Sequence, residues 1–543
     1  MALRPITEIA DKLKIAADSI EPYGKHLAKI PLDNPAFRSP RKGKLILVTA
    51  MTPTPAGEGK TTTVIGLGQA LQQLGKKVCI AIREPSLGPC FGVKGGATGG
   101  GKSKVEPSDR INLIFTGDFP SVSAAHNLLS ALINNHMYFA NKLGIDPKEL
   151  LFPRTVDMND RSLRSILVGV GGKDYGALTP DRFVITPASE VMAILGLSKS
   201  YADLKSKLGR IMIAKSSSGN PVFSSDINAQ GAMAALLVDA LKPNLAQTTE
   251  GVPAFIHIGP FGNIAHGTSS VLADDLALKT SDYLVTEAGF GSDLGAEKFF
   301  DLVSRVGSLP VNAVVIVGTI RAIKHHAGSK DLSVEDVGAV REGSKNLLRH
   351  VEIVRSFGVE PVVAINRFPT DTESEISTLK EILESRKVDS AISDVFTEGG
   401  KGGIDLANEV LRHISNEPVR LNYVYEFNEP VKVKIEKIAK RIYGAGSVSY
   451  GKQAVKDLKF IEKTGLSGLP ICMAKTQNSI SDDPALLNSP EGFTLTIERI
   501  NISAGAGFLV PLAGDIMTMP GLPKVPASEG IDITDSGEIV GLS

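Results

Sequence analysis

Tryptophan is missing from this chain, and aromatic residues of all kinds make up only 5% of it. So few rings argue against a broad surface for stacking nucleic-acid bases. Neither sign of charge is in excess: Lys+Arg and Asp+Glu number 59 each, so no overall field draws nucleic acid or an anionic membrane. Any phosphate recognition must be local. The three cysteines, Cys79, Cys90 and Cys472, have neither the density of a disulfide scaffold nor the spacing of a metal site. The longest apolar stretch, around 311–317, is too short to span a bilayer. At the N-terminus, Arg4, Ile6, Ile9, Ala10 and Leu13 have the spacing of an amphipathic helix rather than a signal peptide. These absences point to a soluble cytoplasmic enzyme with neither nucleic-acid nor membrane partners. With 42% hydrophobic residues among 543, the chain can bury large cores and suggests about three or four domains.

What is present is a phosphate loop. The apolar run Leu45-Ile46-Leu47-Val48 leads into Thr52-Pro53-Thr54-Pro55-Ala56-Gly57-Glu58-Gly59-Lys60-Thr61-Thr62, and helical spacing follows from Val64. Strand, glycine-bearing loop, Gly-Lys-Thr and helix together build a cradle of backbone N–H groups at a helix N-terminus. Lys60 supplies a mobile charge, and Thr61 a hydroxyl for the Mg2+ that accompanies a nucleoside triphosphate. Thr54 stands where the general pattern has glycine.

Short β-branched runs alternate with helical segments, which predicts an α/β fold: a large P-loop domain with a mostly parallel sheet covered by helices, plus two smaller α/β domains. The expected division is 1–352, 353–440 and 441–543. Candidate strands are 45–50, 78–83, 111–115, 254–258, 283–286, 312–318 and 360–365, near-continuous apolar runs as strands covered on both faces should be. Ligands of such sheets bind at the carboxyl ends of the strands. Polar and glycine-rich residues follow every one of these runs, which places a site along that edge.

Arg83, after the second run, has a planar fork suited to a carboxylate, an acyl phosphate or developing phosphoryl charge; pairing with a glutamate is the structural alternative. Asp118 and Glu287 compete as the Mg2+ carboxylate. Gly92–Gly101 has the backbone freedom of a lid. His126, His136, His350 and His413 lie in helical contexts and read as packing or surface residues, whereas His266 sits between glycine-rich turns. Phe290, Phe368 and Phe396 occupy loops rather than periodic apolar faces, which suggests a flat ligand to stack on.

Together these motifs resemble the formate–tetrahydrofolate ligase family over nearly the whole chain. The similarity is carried by the phosphate loop, Arg83-Glu84-Pro85-Ser86-Leu87-Gly88-Pro89, Glu287-Ala288-Gly289-Phe290-Gly291, Thr319-Ile320-Arg321-Ala322, Asn366-Arg367-Phe368-Pro369 and Met517-Thr518-Met519-Pro520-Gly521-Leu522-Pro523. The family shares the threonine at position 54. Its usual Ala-Ala-Gly-Gly-Gly-Tyr is here Ala97-Thr98-Gly99-Gly100-Gly101-Lys102, a usual Gly-Gly is Ala327-Gly328, and Phe396 stands where tryptophan is common. The resemblance implies that formate, ATP and tetrahydrofolate give 10-formyltetrahydrofolate, ADP and phosphate through formyl phosphate. It further implies that residues 54–62 hold ATP, Lys60, Arg83 and Asp118 act in catalysis, Thr61 holds Mg2+, and Phe290, Phe368 and Phe396 sandwich the folate. A homotetramer and a monovalent cation, K+ or NH4+, belong to the same expectation. The rivals are a nucleotide-switch ATPase, which needs no formate, and another ATP-dependent ligase of a small carboxylate.

Overall fold

The computed structural model describes residues 3–54, 57–94, 96–414, 417–514 and 516–542; Pro55 and Ala56 of the expected nucleotide site lie outside them. Apolar runs that no surface position could tolerate become the centre of a twelve-stranded sheet. Its main strands are β1 (Lys44–Ala50), β2 (Val78–Ile82), β3 (Asn244–Thr248), β4 (Pro253–Ile256), β5 (Tyr283–Glu287), β6 (Ala313–Gly318), β7 (Pro361–Asn366) and β8 (Ser390–Ser393). Their spatial order is β3-β4-β2-β5-β1-β6-β7-β8. Every neighbouring pair from β4 to β8 is parallel, and β3 runs antiparallel to β4. The phosphate-loop strand β1 is therefore central, with β5 and β6 beside it, and the loops after β2, β5, β1, β6, β7 and β8 share one edge.

Helix α1 (Lys60–Gln73) covers one face. It lies close because Gly66 has no side chain: a Cβ there would stand 2.5 Å from Val395 Cγ1. Helices α2 (Asp118–Phe139), α3 (Ile320–His326) and α4 (Val337–Ser356) complete the frame of the site.

Two expectations need correction. Residues 111–115 are not a strand: Ser108–Ile111 is a helical turn followed by further turns, with Phe115 at φ 48° and Gly117 at φ 95°. Glu106 Oε2 accepts from the Ser108 amide and starts the turn, and Ile114 points outward at 62% exposure. A five-residue apolar run cannot by itself distinguish strand from helical turn. The division at 352/353 falls inside α4, and β7 and β8 beyond it continue the central sheet, with β7 paired to β6. Beyond residue 441, Ser447–Tyr450, Thr494–Ser503 and Phe508–Ala513 form a small sheet packed under the helix Lys452–Lys463. A further small sheet, Ile145–Leu150, Met212–Ser216 and Pro221–Phe223, lies between the end of α2 and β3.

Candidate active site

Gly59, in the left-handed region at φ 74°, turns the chain from the loop into α1, and no side chain caps that helix. A helix N-terminus without a side-chain cap suits an anion. A Cβ on Gly59 would also strike Asn366 Nδ2 at 2.5 Å, so glycine is required there twice over. Thr54, the departure from the general pattern, has a defined job: its amide and its hydroxyl both donate to Glu58 Oε1, at 2.8 and 2.9 Å. The Thr319 hydroxyl donates to Glu58 Oε2, and Asn366 Nδ2 donates to the Glu58 carbonyl at 3.1 Å. Glu58 thus points inward and ties the loop to the ends of β6 and β7. Helix α4 braces the loop from the other side: His350 Nε2 lies 2.9 Å from Thr52 Oγ1, and Asn346 Oδ1 accepts from the Thr52 amide at 3.2 Å.

Three loops converge on Glu287, the last residue of β5. Thr61 Oγ1 donates to its Oε2 at 2.8 Å and Arg83 Nε donates to its Oε1 at 3.2 Å. Burial pushes this carboxyl up, but the Arg83 guanidinium, the Lys60 charge and the two hydrogen bonds outweigh it and hold the pKa below its usual value. Glu287 is therefore ionised between a cation and the Thr61 hydroxyl. The glutamate that pairs with Arg83 is thus Glu287, across the sheet, and not its neighbour Glu84.

Asp118 lies in a different cluster. Its carboxylate accepts from Lys29 Nζ at 2.7 Å and from Asn244 Nδ2 at 2.7 Å, all three side chains being buried. Glu84 abuts it, and burial, then the Asp118 charge, push the Glu84 carboxyl well above its usual range. Of the two competing carboxylates, Glu287 is the one beside Thr61.

The phenylalanines occupy three strand ends of the same edge. Phe290, after β5, takes φ 61°, a strained left-handed conformation for a bulky residue. Phe368, after β7, lies under the Arg321 guanidinium at 4.5 Å, and Arg321 Nη2 also donates to the Gly57 carbonyl at 2.8 Å. Phe396, after β8, is 52% exposed. Phe368 and Phe396 follow adjacent strands, whereas Phe290 is three strand spacings from Phe368, roughly 14 Å. The glycine-rich stretch reaches Phe396 as well: Lys102 donates its amide to the Phe396 carbonyl at 2.8 Å, and a Cβ on Gly100 would stand 2.8 Å from the ring. Its Cys90–Lys94 part is a helical turn, and Gly99–Gly100 pairs with Ser103–Glu106.

His266 is fully buried, neither ring nitrogen has a partner among the described residues, and burial lowers its pKa to about 3. His326 bonds the Thr52 carbonyl and the Asn488 amide at 3.1 and 3.2 Å. Sequence reasoning missed the ties made by Glu58, Asn366 and Arg321; their only signal was position, each lying at or just beyond the carboxyl end of a strand.

The profile of the family described as formate–tetrahydrofolate ligase matches residues 1–543. A relative so named from Thermoplasma volcanium is 63% identical over 540 residues, covering 99% of this chain and 100% of its own length. Another from Thermoplasma acidophilum is 64% identical with the same coverage, and one from Symbiobacterium thermophilum is 53% identical over 545 residues, covering 99% of this chain and 98% of its own. A solved MinC:MinD cell division protein complex from Aquifex aeolicus matches at 12% identity, 68% of this chain and 96% of that one, with a TM-score of 0.26, too low to bear on the fold. A family match spanning residues 1–543, with relatives at 53–64% identity covering 99% of the chain, makes this enzyme a member of the formate–tetrahydrofolate ligase family.

Proposed function

We propose that this enzyme ligates formate to tetrahydrofolate with ATP, releasing 10-formyltetrahydrofolate, ADP and phosphate by way of formyl phosphate. The observation that carries the reading is the Thr61–Glu287–Arg83 chain at the mouth of the phosphate loop. Formate is a poor acyl donor because oxide would have to leave. Attack of a formate oxygen on the terminal phosphorus of ATP expels ADP and gives a mixed anhydride; N10 of the folate then attacks the formyl carbon and phosphate departs. Phosphoryl transfer needs mainly positioning and charge neutralisation. Residues 54–62 cradle the polyphosphate, Lys60 neutralises its terminal part, and Arg83, held by Glu287, receives formate and then formyl phosphate. The hard oxygen donors at Thr61 and Glu287 fit Mg2+, which supplies neutralisation of the phosphates when bound. Phe290, Phe368 and Phe396 hold the aromatic part of the folate.

Asp118 enters this proposal as a positioning residue whose pair with Lys29 fixes the Arg83-Glu84 turn from behind. The 92–101 stretch, already against Phe396, shields the anhydride from water; a deletion that left ATP hydrolysis fully coupled to formyl transfer would refute that. A cytoplasmic homotetramer and a K+ or NH4+ requirement complete the proposal. The deciding assay is ADP release with formate present or withheld, with and without tetrahydrofolate. ADP release strictly dependent on formate is expected, and Lys60→Ala should abolish it. ADP release indifferent to formate would overturn the assignment and favour a nucleotide switch.

A further inference from the structure

A cavity of about 330 Å3 lies between the small sheet of residues 145–223 and the C-terminal sheet, and it shares no residue with the phosphate loop or the three phenylalanines. Arg182, Lys215 and Arg499 line it. Lys215 has a counter-charge, Glu149 Oε2 at 3.1 Å. The two guanidiniums have no carboxylate within ion-pair distance among the described residues, and the acids that face them are otherwise engaged. Asp181 accepts from Arg154 Nε at 2.9 Å and from the Arg182 amide at 2.7 Å. Asp457 accepts from the Ile500 amide at 2.9 Å and from Gln453 at 2.8 Å. Glu190 accepts from the amides of Gly505 and Ala506 at 2.8 and 3.2 Å, and burial raises its pKa to about 7. The His126 ring is bonded at both nitrogens, to Ser189 and to the Pro153 carbonyl.

Both guanidiniums lie at this cavity, and Arg182 feels the other: burial first, then the Arg499 charge, lower its pKa, and the Asp181 charge offsets this only in part. Planar guanidinium forks suit an oxyanion, and these two line the same cavity. We infer that Arg182 and Arg499 bind a doubly charged oxyanion group, either a phosphate monoester or a pair of carboxylates, of a small molecule whose body rests on Phe152, Val184, Met212 and Ile264. The volume is in the range of small-molecule sites. The apolar wall and the cationic end give the pocket a direction that a merely hydrated cleft does not need.

The test is calorimetric titration of the full-length enzyme with inorganic phosphate, and separately with malonate, comparing the parent, Lys60→Ala and the double variant Arg182→Gln/Arg499→Gln. The parent and Lys60→Ala should bind one anion saturably at this pocket, and the double variant should bind it at least about tenfold more weakly while keeping its formate-dependent activity. A phosphate preference identifies the ester, a malonate preference the dicarboxylate. Because substitution removes a repulsion, the melting temperature of the double variant without anion should equal or exceed the parent's. Equal affinity in all three proteins, or loss in Lys60→Ala alone, overturns the inference. So does a double variant that melts lower and binds anion as well as the parent does.

Discussion

Glutamine at position 287 keeps the shape of the side chain and removes its charge. The carboxylate accepts from Thr61 at 2.8 Å and from Arg83 at 3.2 Å, and only 2% of the residue is exposed. In Glu287→Gln one of those acceptors becomes an NH2 group. The Thr61 hydroxyl can turn round and accept, but Arg83 cannot, and its other polar contact is the Pro260 carbonyl at a long 3.4 Å. Loss of one hydrogen bond to a charged group corresponds to about 1.5–3 kcal/mol, or roughly 10- to 150-fold in kcat/KM. The assay is formate-dependent ADP release at saturating tetrahydrofolate, where the KM for the folate should stay put. Turnover within twofold of the parent would refute the role given to the chain of contacts. The same residue has a stability signature. Its folded pKa lies below its unfolded value, so its contribution is present above about pH 4.5 and lost as pH falls through the lower folded pKa. Acid unfolding of the variant should therefore be the shallower of the two.

Phe396→Ala should weaken folate binding by about 1–2 kcal/mol, the scale of one aromatic stack; a change confined to ATP affinity would contradict the stacking role. Gly66→Ala forces a methyl group onto Val395, costing about 1–3 kcal/mol by overpacking against a helix-propensity gain of about 1. A lower urea midpoint, partly restored by adding Val395→Ala, is the expected result, and an unchanged midpoint would show that α1 can shift. His257 is bonded to Ser270 and the Ala240 carbonyl, and burial lowers its pKa from 6.5 to about 4. A buried neutral ring loses stability as pH falls from its unfolded pKa through its folded one. Between pH 7 and 5 it should cost about 2 kcal/mol that His257→Gln does not lose, and parallel pH curves would disprove the assignment.

The parallel sheet was legible because its strands are covered on both faces, and runs such as Leu45–Val48 and Val311–Val317 have no other use. Their carboxyl ends could then be searched for chemistry, which singled out Lys60, Thr61, Arg83 and the three phenylalanines as candidates. Two kinds of information were not in that pattern. Short runs such as 111–115 owe their conformation to Glu106 and Phe115, a capping contact and a left-handed residue that periodicity does not register. Partnerships across the sheet, Arg83 with Glu287 rather than Glu84, and Asp118 with Lys29, depend on strand order, which residue spacing does not contain. The 352/353 division failed for the same reason: a long amphipathic helix read as an exit from the domain, when it is a crossover returning the chain to the next strand.

The turn after β7 touches both halves of the proposed reaction. Asn366 holds the Glu58 carbonyl, and two residues later Phe368 lies under an arginine whose other hand is on Gly57. On the proposed assignment, nucleotide loop and folate platform are joined by one short mechanical linkage. Substitutions at Asn366, Phe368 and Arg321 should accordingly not add: whichever comes first slackens the linkage for the others, and the spacing between donor and acceptor, more than the affinity for either, is what they set.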